Sequence, residues 1–128
     1  MTTAKVVDAS AIAAIIFDEV ARDAILARLW GAQLFAPALL VFEVASVALK
    51  KIREHPPERE LLLAAYDKLQ WLAISYADID LGPAIRVAER NALTLYDASY
   101  LWLAQELGLE LVTLDKRLAK AAARQGPP

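Results

Sequence analysis

Cysteine is absent from this chain and histidine occurs once, as His55. The first absence excludes disulfide frameworks, cysteine zinc sites and thiol nucleophiles. His55 stands beside Pro56 in a run of charges, with no second histidine and no apolar pocket. It therefore reads as a loop residue and not as a general base. No apolar run reaches the roughly 18 residues that suggest a membrane span. No secretory leader is expected either, because Lys5, Val6 and Val7 run straight into Asp8 with no long apolar stretch. The expected location is the cytoplasm. An excess of positive charge is also missing: 14 Lys and Arg face 16 Asp and Glu, for a formal charge of −2. That balance argues against a non-specific nucleic-acid binder. It leaves open an enzyme that meets nucleic acid through a local patch.

What is present is a core. The 128 residues are 58% hydrophobic, enough for one domain, expected over residues 1–124 with a frayed tail at 125–128. Short β-branched and apolar runs at 5–8, 33–36, 73–76 and 109–114 read as strands. Between them lie helical patterns. Ser10 is the expected N-cap of a helix through Ile16, and a second helix covers 20–30 and ends at Gly31. A long helix over 39–53 stops at Pro56-Pro57, and one further helix is expected over 58–71. Asp80 looks like the N-cap of a helix over 81–90, with Pro83 in its first turn. Thr94 is the expected N-cap of a dense apolar helix that Gly108 ends, and Asp115 opens a last helix to about residue 124. Strands that alternate with helices argue for a parallel sheet covered on both faces.

Four carboxylates stand in apolar surroundings. Asp97 lies in the first turn of the Thr94 helix, in register with Leu101 and Ala104, so it shares their inward face. Capping alone would account for it, with Thr94 at N-cap and Asp97 at N3. Asp8 ends the first strand, the sheet edge where ligands bind in open parallel sheets, although turns also favour Asp. Glu43 has Leu39, Leu40 and Val47 as helical neighbours and lies too deep in its helix for capping; a buried Arg or Lys partner is the alternative. Asp115 follows the last strand, where it could simply cap a helix, and Thr113 would share its side of the strand. Strand C-termini and helix N-termini meet at one edge of such a sheet, so the four could converge. Unpaired carboxylates so gathered repel one another unless cations neutralise them, and all-oxygen ligands suit Mg²⁺ or Mn²⁺.

These residues resemble the motifs of the PIN-domain ribonucleases, and among them the VapC-type toxins of toxin–antitoxin pairs. Asp8-Ala9-Ser10 matches the first motif and Phe42-Glu43-Val44 the second. Asp97-Ala98-Ser99-Tyr100 through Ala104 fits the third, and Thr113-Leu114-Asp115 the fourth. All four occur in order across nearly the whole chain. The resemblance implies a three-layer α/β/α sandwich with a short, mostly parallel central sheet. It further implies Mg²⁺- or Mn²⁺-dependent RNA cleavage, with Asp8, Glu43, Asp97 and Asp115 as catalytic and metal-binding acids and Ser10 and Thr113 as supporting polar residues. A homodimer and a small cognate antitoxin partner are implied as well. Where some relatives carry a further acid after the fourth motif, this chain has Lys116 and Arg117, which would reduce metal occupancy to one tight site.

On this reading a metal-bound water attacks the phosphodiester, and no protein nucleophile is needed. Lys116, Arg117, Lys120 and Arg124 could hold RNA phosphates from the last helix, or simply form its solvated face. Tyr96, Tyr100 and Trp102 sit at helical spacing in an apolar run and read as core or dimer packing, ahead of base stacking. Two other classes are a PIN-like module that binds RNA or protein without cutting, and a phosphoacceptor signalling domain. The second would want a lysine on a late strand, which is not evident here.

Overall fold

The structure, a computed structural model, describes residues 3–125. Four strands form one sheet: β1 (Ala4–Val7), β2 (Gln33–Pro37), β3 (Ile74–Ala77) and β4 (Glu110–Val112). Their order is β3-β2-β1-β4, and every pairing is parallel. The expected "mostly parallel" sheet is thus wholly parallel among the described residues. Seven α-helices accompany it: α1 (Ala9–Ile16), α2 (Arg22–Leu29), α3 (Leu39–Glu54), α4 (Arg59–Asp67), α5 (Leu81–Asn91), α6 (Leu95–Leu107) and α7 (Lys116–Arg124). The architecture is the expected three-layer α/β/α sandwich. One hydrophobic cluster runs through it, from Val6 and Val7 on β1 to Leu118 and Ala121 on α7.

Strand order decides where a ligand can sit. From β1 the chain steps to β2 and β3 on one side, and later returns to place β4 on the other side of β1. The gap beyond the C-terminal ends of β1 and β4 is therefore the switch point of the sheet, where open parallel sheets bind ligands.

Several local expectations change. Ser10 does not cap α1; Asp8 does. Asp8 has the extended backbone of an N-cap and its side chain accepts from Ala11 N, which lies at N3. Ser10 already lies in the helix, and its hydroxyl reaches across to the turn after β4 instead. The single helix expected over 58–71 is broken into a 3-10 turn at Pro56–Glu58, α4, and a second 3-10 turn at Lys68–Trp71. Leu62, Ala65 and Leu69 stay buried through the change, so the apolar stripe survives the tighter winding. β4 pairs over only three residues, because the chain beyond Val112 turns toward Ser10. Gln125 is the C-cap of α7 and donates to Asn91 Oδ1 at 3.3 Å. The rest of the expected tail, 126–128, lies outside the described residues.

Candidate active site

Asp8 forms the floor of the site. It is 5% exposed, and its backbone N–H continues the ladder to Val112 O at 3.3 Å. Its Oδ1 accepts from Ala11 N at 3.1 Å and from Ser10 Oγ at 2.7 Å, and its Oδ2 accepts from Thr113 Oγ1 at 2.5 Å. Both hydroxyls are themselves fed by backbone donors. Leu114 N donates to Ser10 Oγ at 2.9 Å, and Asp115 N donates to Thr113 Oγ1 at 3.0 Å. The turns after β1 and β4 are thereby laced together around one carboxylate. Asp115 stands at the exposed rim as the N-cap of α7, with Oδ1 accepting from Leu118 N at 2.9 Å.

The other two acids come from helices. Asp97 sits in the first turn of α6, where its N–H donates to Thr94 Oγ1 at 3.1 Å, as the capping expectation required. Glu43 lies on α3, partly buried, and its Oε1 accepts from the Tyr100 hydroxyl at 2.5 Å. Burial is the first cause that raises the carboxyl pKa of Asp8, Glu43 and Asp97 above the ordinary range. Hydrogen bonds oppose it: from Thr113, Ser10 and Ala11 at Asp8, from Tyr100 at Glu43, and from Thr94 at Asp97. The acids also act on one another. Asp115 raises Asp8 and Asp97, and Glu43 is raised by Asp97 and Asp8. Charge repulsion thus links Asp8 to Asp115, Glu43 to Asp8 and Asp97, and Asp97 to Asp115. Among the described residues no salt bridge takes any of the four. The Arg117 charge pulls Asp97 down as its last and smallest cause.

The sequence matches the PIN domain family over residues 5–124. This chain belongs to the PIN-domain family. Within the family it falls with the VapC-type members. It is 34% identical over 121 residues to a protein named Ribonuclease VapC3 from Pyrobaculum aerophilum, covering 90% of this chain and 92% of that one. Its fold matches the crystal structure of PAE2754, from the same organism, with a TM-score of 0.76 and 26% identity, over 100% of this chain and 91% of the other.

The chemistry of the four acids, though not a gathered geometry, is of the kind that suits a hard divalent cation. They offer carboxylate oxygens alone, which repel one another and have no basic partner holding them. The set is not a closed cage, since among the described residues no three acids or histidines are gathered as a ready ligand group. A cavity of about 560 Å³ lies to one side, along the open edge of β4 between α6 and α7, and shares only Thr113 with the acids and their anchors. Of the acids themselves, Asp8 is buried, Glu43 and Asp97 are half-buried and Asp115 is exposed.

Lys116, Arg117 and Lys120 are all exposed on α7. Arg117 is the one whose charge reaches an acid. Among the described residues, no hydrogen bond or ion pair joins Lys116 or Lys120 to the four acids. Tyr96 is 63% exposed, one turn from the buried Tyr100. The partner of Tyr100 was invisible in the sequence, where it reads as packing. The only local signal was general: a buried tyrosine hydroxyl needs a hydrogen-bond partner.

Proposed function

We propose that this PIN domain is a divalent-metal-dependent ribonuclease and the toxin half of a toxin–antitoxin pair. The observation that carries the reading is the set of Asp8, Glu43, Asp97 and Asp115, none of which takes part in a salt bridge among the described residues. Its likeness to a relative named Ribonuclease VapC3 supports RNA as the substrate. The four acids would hold Mg²⁺ or Mn²⁺. Such an ion, when bound, lowers the pKa of water and offsets charge that develops at a phosphodiester.

The chain's own residues do the rest. Ser10, Thr113 and the Ala11 amide hold the Asp8 carboxylate in one orientation. Glu43 and Asp97 would join it from α3 and α6, and the exposed Asp115 would stand at the rim. Lys116, Arg117 and Lys120 would hold phosphates beside the scissile one. Residues 1–124 would work as one nuclease domain, as a homodimer, in the cytoplasm, silenced by a small cognate antitoxin.

The test uses purified protein and a structured RNA with Mg²⁺ or Mn²⁺. Cleavage should stop with a chelator. Asp97→Asn should abolish it while circular dichroism stays that of the parent; unchanged cleavage by this variant would sink the metal-site reading. Co-expression with the product of the adjacent small reading frame should yield a complex that does not cut.

A further inference from the structure

Tyr100 is 1% exposed, yet its hydroxyl ends on a carboxylate contributed by another helix, 57 residues away in sequence. The ring is fixed because it lies in the core cluster, on a helix that packs against β1 and β2. Glu43 is its opposite: a long, partly exposed side chain on α3 with several rotamers open to it. The phenol O–H donates to Glu43 Oε1. Among the described residues, no other hydrogen bond to that carboxylate is formed, so Oε2 is left over. Asp8 is oriented by the same device, with the Ser10 and Thr113 hydroxyls as its anchors.

We infer that Tyr100 is a positioning residue: its hydroxyl anchors Glu43 through Oε1 and leaves Oε2 as the oxygen that carboxylate offers to a divalent cation. The inference rests on the metal-dependent reading above. Helix α6 then supplies the site twice, once with the Asp97 carboxylate and once by aiming the Glu43 carboxylate from α3.

Mn²⁺ binding to the intact protein, followed by calorimetry without RNA, tests it. Tyr100→Phe keeps the ring and removes only the donor. It should weaken Mn²⁺ binding by about tenfold, the lower end of what loss of an outer-shell partner costs. Glu43→Gln should also weaken binding, and the double variant should be no weaker than Glu43→Gln alone, because Tyr100 acts through Glu43. Glu43→Asp, which draws the carboxylate back from the phenol, should show a similar deficit with Tyr100 intact. In cleavage assays Tyr100→Phe should raise the Mn²⁺ concentration for half-maximal rate, with kcat at saturating Mn²⁺ unchanged. Equal Mn²⁺ affinity in Tyr100→Phe and the parent overturns the inference. Additive losses in the double variant overturn it too. A parent that binds no Mn²⁺ overturns both the inference and the metal reading beneath it, which separates the two failures.

Discussion

At the scale of single residues, the negative charges of Asp8, Glu43 and Asp97 are a liability to the fold. Asp8, Glu43 and Asp97 hold their protons more tightly in the folded chain than in the unfolded one. The native state therefore binds more protons, and this part of the stability falls as pH rises through and above the ordinary values of 3.8 and 4.5. Glu110 has the opposite sign: the hydrogen bond from Arg28 lowers its pKa, so its contribution is present above the ordinary value and is lost as pH falls. Comparison with a variant isolates the acids. In chelator, Asp97→Asn should unfold at a higher temperature than the parent near neutral pH, and the difference should shrink toward about pH 4, the ordinary carboxyl range. Added Mn²⁺ should reverse the order, because an ion that binds only the native parent stabilises it by mass action. Asp8 separates charge from capping. Asp8→Ala removes an N-cap and should cost about 1 kcal/mol or more by denaturant titration. Asp8→Asn retains an oxygen for the Ala11 amide and should lose cleavage with a smaller stability loss. Glu43 was legible in the sequence because an acid stood among Leu39, Leu40 and Val47. Tyr100 was not, because nothing near it in the chain announces Glu43.

At the scale of elements, the helix ends carry both fold and site. Thr94 caps α6 by accepting from Asp97 N, so one hydroxyl starts the helix and steadies the residue that bears the carboxylate. Thr94→Ala should cost about 1 kcal/mol of stability. It should also lower cleavage more than a surface change of equal stability cost, which parallel melts and rate assays would reveal. Helix α5 ends at Ala92, whose φ of 52° lies in the left-handed region that favours glycine. Ala92→Gly should therefore raise stability, by roughly 0.5–1 kcal/mol in denaturant midpoints, with cleavage unchanged. Gly108, at φ 66° after α6, already uses that freedom. The cap at Gly108 and the Pro56-Pro57 stop were readable from local chemistry. The break of the 58–71 pattern into α4 and a 3-10 turn was not, because its apolar spacing continues through both windings.

At the scale of the whole molecule, charge and topology divide the work. The formal charge of −2 gives no general attraction for RNA, so phosphate contacts must be local. Under the proposed function, Lys116, Arg117 and Lys120, exposed on α7 after Asp115, would make them. Their replacement by alanine should weaken RNA binding about equally across sequences. It should also flatten the dependence of log affinity on log salt, by about 0.7 for each phosphate of a single strand that is no longer neutralised. A fluorescence-anisotropy titration over a salt series reads both, and an unchanged slope would reduce these side chains to an ordinary solvated face.

The sequence by itself determined what depends on neighbours a few residues apart. Strand and helix types, most of their limits, and the identity of the buried or half-buried acids follow from period, caps and apolar context. Tertiary structure decided which of those acids meet, and what holds them. The Ser10–Thr113 contact spans 103 residues, the Asp8–Thr113 bond 105 and the Tyr100–Glu43 bond 57. Each depends on the strand order that places β4 against β1, or on the packing that brings Tyr100 of α6 to Glu43 of α3. Ser10 shows the difference most directly. Its local chemistry suits a helix cap, but the turn after β4 brings the Leu114 amide to its hydroxyl, and the capping role passes to Asp8.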